Sequence, residues 1–358
     1  MFFELLRVNN VRNITSIQLE PNPLLNVVVG PNASGKTALL EAIHILARAK
    51  SFRTPRIKDV IKHTETGLQV VAEVSNKQSN SITTGIEKSH GSTLIKHKGL
   101  SVKTVSTQAN NIPLILITPD SHNLITGSPK QRRHWLDWAM FHVEHTYLQD
   151  WKAYQKALRN RNILLKAGAD DKQISAWENS MSKTGLILDR LRLKFIKTLD
   201  EQFTGLDRSD FPTKTSIGFY KGYPEEIDFG GYLCEKREQD RKLGYTKYGP
   251  HKADVLFLAE EHSIGKVYSR GQIKRFVSLV LLAEAKTYEL INKEKPVFLI
   301  DDYAAELDIN ARKDLLESVL DYGGQIFITS TDEDKVLSQL TDYNLFHVER
   351  GSFHKVVK

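Results

Sequence analysis

The sequence lacks most of the features that mark secreted, membrane-bound and metal-clustered proteins. It holds a single cysteine, Cys234, in 358 residues. One thiol excludes an intrachain disulfide and any CxxC zinc site, and it fits a reducing, cytoplasmic setting. No apolar run approaches the ~18 residues of a membrane span, so no membrane partner is expected. The amino end, Met1-Phe2-Phe3-Glu4-Leu5-Leu6-Arg7, lacks the charged-then-apolar order of a secretory signal. There is no internal repeat and no low-complexity tract. No helix-turn-helix, zinc-finger or RNP pattern is present, so any nucleic-acid contact would be tolerant of base sequence. What remains is ordinary globular material, 40% hydrophobic and 26% charged, enough for a sizeable core. The length suits one large or two modest domains. The formal charge of +7 is a mild pointer to a polyanionic partner.

The chain divides by texture into 1–120, 121–245 and 246–358. The first part reads as strands with one helix. Residues 24–29 form an apolar run ending in Gly30, the mark of a buried strand. Across 37–47, Leu39, Leu40, Ile43, Leu46 and Ala47 share one helical face. Residues 68–118 alternate apolar and polar between glycine-containing turns, which predicts antiparallel strands. The middle part is helical. Ile174, Trp177, Met181, Leu188, Leu191 and Phe195 follow a heptad pattern. Trp151, Tyr154, Leu158 and Leu165 supply a facing stripe, with a turn near residues 168–171. This predicts a helical hairpin with coiled-coil-like packing; a plain bundle core would leave the same stripe. The last part returns to strand–helix alternation, with buried strands at 297–300 and 325–329. The plan is an α/β unit interrupted by a helical insertion.

Gly30-Pro31-Asn32-Ala33-Ser34-Gly35-Lys36-Thr37 matches G-x-x-x-x-G-K-[ST] at every specified position. It follows a predicted strand and opens a predicted helix, the context in which this loop cradles phosphates. The glycines let backbone N–H groups close around the anion, and the helix amino terminus adds partial positive charge. Lys36 would reach the β- and γ-phosphates of ATP, and the Thr37 hydroxyl would ligate Mg²⁺. A second acidic element is needed to manage the magnesium and the attacking water. Val297-Phe298-Leu299-Ile300-Asp301-Asp302 supplies it, four apolar residues followed by two carboxylates. Asp301 would hold the metal shell, and Asp302 would orient or deprotonate the water.

Tyr268-Ser269-Arg270-Gly271-Gln272 precedes a strongly helical stretch, and Glu306-Leu307-Asp308 follows the carboxylates. Ser-x-Gly-Gln, a four-residue apolar strand ending in two aspartates and a Glu-Leu-Asp turn, in this order, resemble the signature loop, catalytic strand and D-loop of ABC-type ATPases. With Gly127-Ser128-Pro129-Lys130-Gln131-Arg132-Arg133, Leu136-Asp137, Gly249-Pro250-His251 and the early Arg12-Asn13 pair, the sequence resembles, nearly end to end, the RecF family of bacterial recombination mediators. These are compact relatives of the SMC-type ATPases. The resemblance implies an α/β, ABC-type P-loop ATPase head split into amino- and carboxyl-terminal parts. A helical lobe inserted between them resembles a shortened SMC coiled coil. It implies that Arg12 and Asn13 lie near the nucleotide. It further implies an ATP-dependent homodimer in which Ser269, Gly271 and Gln272 of one chain face the nucleotide of the other. The dimer would act on gapped DNA and help RecO and RecR load RecA, supporting the SOS response, near the nucleoid. It would be a weak, DNA-stimulated ATPase.

Four departures stand out. Lys252-Ala253-Asp254 replaces the family's usual Arg-Asp-Asp. Arg270 takes a position that often carries glutamine. Ser330-Thr331-Asp332 stands where transporter-type ABC proteins place a histidine, and Thr118-Pro119-Asp120 where they place a glutamine. Gln108 precedes that strand and is a poor substitute. These last two absences imply slow hydrolysis. Two other readings follow from the same motifs, an ATP-binding scaffold with negligible hydrolysis and a transporter ATPase subunit.

The positive charge has a location. Lys130, Arg132, Arg133, Lys152, Lys156, Arg159, Arg161 and Lys166 cluster in the first half of the helical region. On a common face they would track DNA phosphates. Cations are also the default occupants of solvated helix faces, so the pattern alone does not separate the two.

Overall fold

The computed structural model describes residues 1–76, 79–102, 112–206, 211–303, 309–331, 340 and 342–356. The chain falls into two compact units, one of Met1–Ser121 with Lys274–Lys358, the other of His122–Ile273.

The first unit begins with β1 (Phe2–Val11), β2 (Ile14–Leu19) and β3 (Leu25–Val29), then α1 (Lys36–Arg48). It continues with β4 (Gly67–Asn76), β5 (Ser79–Ser89), β6 (Thr93–His97), β7 (Leu100–Val102) and β8 (Leu114–Ile117). An antiparallel sheet runs in the order β2-β1-β4-β5-β6-β7. Its strands alternate, with Leu6 and Val8 buried and Arg7 exposed, as a one-sided sheet requires.

The second unit holds α2 (Asn123–Thr126), α3 (Pro129–Val143), α4 (Tyr147–Lys166), α5 (Asp171–Thr204), β9 (Thr215–Tyr220), α6 (Phe229–Glu235) and α7 (Arg237–Leu243). It ends with β10 (Asp254–Ala259), β11 (His262–Ser263), α8 (Ile264–Val267) and the first turn of α9 (Arg270–Asn292). The expected hairpin is α4 and α5. Ile174, Met181, Leu188 and Phe195 are buried at seven-residue spacing, while Trp177 and Leu191 are only half-buried. Asp170 caps α5 by accepting from the Gln173 amide at 2.8 Å.

The expected return to the first unit at residue 246 needs correction. β10 pairs antiparallel with β9 from Asp254↔Tyr220 to Ala259↔Thr215. That pairing holds residues 246–273 in the second unit, and the chain returns at Lys274.

The first unit closes with β12 (Val297–Ile300), α10 (Ile309–Tyr322), β13 (Ile326–Ser330), β14 (Asn344–Glu349) and β15 (Ser352–Val356). The second sheet of this unit has the order β15-β14-β3-β13-β12-β8 and is parallel except for the β14–β15 hairpin. β8 therefore does not extend the antiparallel run as its position in 68–118 suggested. It pairs parallel with β12 from Leu114↔Val297 to Ile117↔Ile300. An unbroken apolar strand suits a sheet covered on both faces, not one exposed on one side.

Helix α1 packs between the two sheets. Its Leu39, Ile43 and Leu46 share a core with Phe3, Leu6 and Val8 of one sheet and with Val28, Leu299 and Phe327 of the other. A helix apolar on nearly all sides belongs in such a sandwich. The Gln325 side chain also ties the sheets together, accepting from Phe3 N at 2.7 Å and donating to Phe3 O at 3.0 Å.

Candidate nucleotide site

The site forms at the carboxyl ends of β3, β13, β12 and β8, where open parallel sheets leave a crevice for ligands. β3 is buried at all five positions and delivers the chain to Gly30. A Cβ on Gly30 would meet the Val348 carbonyl oxygen at 2.3 Å, so only glycine fits the turn. Gly35 has φ +123 and sits against the Asn13 side-chain amide. That amide in turn donates to the Ala33 and Ser34 carbonyls at 3.1 and 2.8 Å. Asn13 thus braces the loop through its carbonyls and does not occupy its amides, the groups that face a phosphate.

Lys36 lies at the start of α1 with 9% of its surface exposed. Its ammonium group donates to the Gly30 and Pro31 carbonyls at 2.7 and 2.9 Å. Neutral carbonyls are weak partners for a cation, and a phosphate oxygen would be a stronger one.

Thr37 and Asp301 meet across the crevice. The Thr37 hydroxyl donates to Asp301 Oδ1 at 2.9 Å, and the Thr329 hydroxyl donates to the same oxygen at 2.8 Å. The register that aligns β13 between β3 and β12 creates this meeting. Burial pushes the Asp301 carboxyl pKa upward, and the Asp302 charge adds to this. The Thr329 and Thr37 hydrogen bonds and the charge of Arg53 oppose it. Asp302 is exposed and holds φ +50, a left-handed conformation stabilised by its amide donating to Thr329 Oγ1 at 2.8 Å. Strain of this kind in a non-glycine residue is typical of functional sites.

These groups line one cavity of about 440 Å³, with Asn32, Ala33, Ser34, Arg12, Asn13 and Pro119. Arg12 is held by Glu41, to which its guanidinium donates at 2.8 and 2.9 Å, and by the Asp59 carbonyl. The hydrogen bond that Arg12 donates to Glu41 raises the Arg12 pKa. Arg53 also lines the cavity and escaped the sequence reading, because a lone arginine in a loop after α1 matches no motif.

Ser269, Gly271 and Gln272 belong to the second unit. The Ser269 amide donates to Gln272 Oε1 at 2.9 Å, and the Gln272 amide to Ser269 Oγ at 3.4 Å. The Ser-x-x-Gln spacing is thus a reciprocal cap at the start of α9. A Cβ on Gly271 would meet nothing within 4 Å. This glycine is a poor helix former, and among the described residues no packing calls for it. Glu306, Leu307, Asp308, Gln108 and Asp332 lie outside the described residues.

The basic cluster splits. Lys130, Lys152, Lys156, Arg159 and Lys166 are exposed, and Lys152, Lys156, Arg159 and Lys166 share one face of α4. Three expected DNA contacts need correction. Arg161 is 0% exposed. It donates to Glu178 at 2.9 and 3.1 Å, and to Asp240 and Thr246 at 2.7 Å. Arg132 forms a two-bond pair with Asp254 at 2.7 and 3.0 Å. Arg133 is half-buried and donates to the Ala253 carbonyl at 2.8 Å. Each is held by an internal partner and none is free to track phosphates. Ala253 is fully buried, and its methyl group suits that interior position. His251 also points inward. Its Nε2 must donate to the Thr246 carbonyl at 3.0 Å, which leaves Nδ1 to accept from the Tyr154 hydroxyl at 2.8 Å.

A phosphate loop on a parallel sheet, an aspartate pair on the next strand but one and a helical insertion define an SMC-like ABC ATPase head. The family described as RecF/RecN/SMC N terminal domain matches residues 2–353. The DNA replication and repair protein RecF of Stutzerimonas stutzeri strain A1501 is 34% identical over 352 residues, covering 97% of this chain and 95% of that one. RecF of Shewanella woodyi is 33% identical over 351 residues, covering 97% and 96%. Among solved structures, the recombination mediator protein RecF of the RecFOR pathway, solved as RecF-ATP, superposes with a TM-score of 0.88. It is 25% identical, covering 99% of this chain and 98% of that one. An SMC head bound to the C-winged helix domain of ScpA shares the fold, with a TM-score of 0.54 at 15% identity over 99% and 97% of the two chains. The chain belongs to the RecF family. That membership sets the transporter alternative aside. Among the described residues, no helix is long and apolar enough to cross a membrane.

Proposed function

We propose that the chain is an ATP-gated DNA clamp of recombinational repair. The observation that carries this reading is the cavity in which Lys36, Thr37, Asp301 and Asp302 converge. The residues fit a magnesium nucleotide. Thr37 Oγ1 and Asp301 Oδ1 lie 2.9 Å apart, two hard oxygen ligands of the kind Mg²⁺ takes alongside phosphate and water. Bound there, the ion neutralises charge on the β- and γ-oxygens. The loop amides and Lys36 hold the phosphates, with Lys36 exchanging its carbonyl partners for phosphate oxygens. Asp302, exposed at the cavity edge, orients or deprotonates the attacking water.

The open space beside Gly271 supports a second role for the second unit. A glycine with no neighbour among the described residues leaves room for the γ-phosphate bound by a second copy. ATP thereby closes a homodimer, and hydrolysis opens it. Lys130, Lys152, Lys156 and Arg159 contact the phosphates of gapped duplex DNA without reading bases. The RecFOR pathway in the solved relative's name supports RecO and RecR as partners. With them the chain helps load RecA, and slow hydrolysis serves as a timer.

Sedimentation with ATP, ADP and a slowly hydrolysed analogue, each with and without duplex DNA, tests this. The dimer fraction rises with ATP and the analogue and not with ADP, and Lys36→Met abolishes the rise. A monomer indifferent to ATP in all conditions overturns the reading.

A further inference from the structure

The inner face of α5 is fully used by the hairpin core, but its outer face is a second patterned surface. Lys183, Leu186, Arg190, Leu193 and Lys197 are all exposed. Their spacing of three and four residues in alternation is that of a coiled-coil seam, with leucine at one position and a cation at the other. Leu186 and Leu193 expose 46% and 57% of their surface at the centre of this seam. Lys172 and Lys194 add to the charge, and no exposed acid lies between Lys172 and Lys197. The two acids in that span, Glu178 and Asp189, are buried on the inner face. None of these cations has a hydrogen-bond or ion-pair partner among the described residues.

We infer that the outer face of α5 docks an acidic amphipathic helix of another protein, laid along it as an added coiled-coil strand. The charge selects an acidic occupant. The paired leucines select a helix over DNA, because a face built only to track phosphates gains nothing from apolar side chains at its centre. A second copy of this chain is a poor occupant: on α10, which carries Asp314, Glu317 and Asp321, Asp314 pairs with Arg275 and Glu317 with Lys313. The inference is independent of the ATP-gated dimer.

The probe is a fluorescein-labelled helical peptide about four heptads long, with leucine at d and glutamate at a, e and g. Its binding to the full-length chain is read by anisotropy. Leu186→Ser with Leu193→Ser weakens binding by about tenfold or more, as does Arg190→Glu with Lys197→Glu. Both substitutions are on the surface and leave ATP-dependent dimerisation unchanged. Duplex DNA retention is the second arm, and the serine pair leaves it within about twofold. Unsaturable peptide binding, or binding indifferent to the serine pair, overturns the inference. A loss of DNA retention in the serine pair also overturns it, and identifies the face as a DNA surface instead.

Discussion

Lys36 and Arg161 are both buried cations, and they are buried for opposite reasons. Lys36 donates to the Gly30 and Pro31 carbonyls of the phosphate loop, whose backbone is built to receive an anion. Arg161 donates to Glu178 and Asp240, two carboxylates that leave its charge fully answered. A cation resting on loop carbonyls can exchange them for a phosphate oxygen. Charged partners mark a cation already committed to the fold. The nucleotide cavity of the first unit and the ion network of the second therefore share a residue class and differ in function.

The largest test of the contrast is Arg161→Met. It strands buried carboxylates and destabilises the second unit by about 3–5 kcal/mol in a urea melt. Lys36→Met removes the bonds to the Gly30 and Pro31 carbonyls and costs about 1 kcal/mol or less. Equal losses in the two variants would break the comparison.

A smaller effect comes from His251, a half-buried base near the same network. Burial pushes its pKa down from 6.5 to about 4, with the charges of Lys252, Arg133 and Arg161 adding to the shift. The folded chain keeps it neutral while the unfolded chain takes up a proton below about pH 6.5. Stability therefore falls as pH drops from about 6.5 to about 4, by up to about 3 kcal/mol from this group. His251→Asn flattens that part of the pH profile, and an unchanged profile would contradict the assignment.

The smallest effect on stability is the sharpest. Gly271→Ala raises helix stability by up to about 0.5–1 kcal/mol, because no atom of the described residues opposes the added methyl. The same variant loses ATP-dependent dimerisation if the space belongs to a partner's nucleotide. Stabilisation with normal dimerisation would show that the space has no such use.

Much of this was legible in the sequence. The phosphate loop, the carboxylates after residues 297–300 and the α4–α5 hairpin each depend on residues close together in the chain. Local spacing reports such features directly. Arg161 was misread because its partners Glu178 and Asp240 lie 17 and 79 residues away. The heptad stripe of α4 gave no sign that an arginine had turned inward. Arg132 and Asp254 are 122 residues apart, and β9–β10 pairing moved the unit boundary for the same reason. The signature motif was read for its resemblance. Its local role as a cap, visible in the Ser-x-x-Gln spacing, went unread.

The central claim is that one nucleotide is held by the loop of one chain and the signature of another. Mixing two inactive variants tests it most directly. Lys36→Met lacks a working loop, and Ser269→Arg lacks a working signature. Each alone stays monomeric with the slowly hydrolysed ATP analogue. An equimolar mixture forms heterodimers on sedimentation, because the Ser269→Arg chain supplies an intact loop and the Lys36→Met chain an intact signature. A mixture that stays monomeric where the wild-type chain dimerises, or dimerisation by either variant alone, contradicts the account.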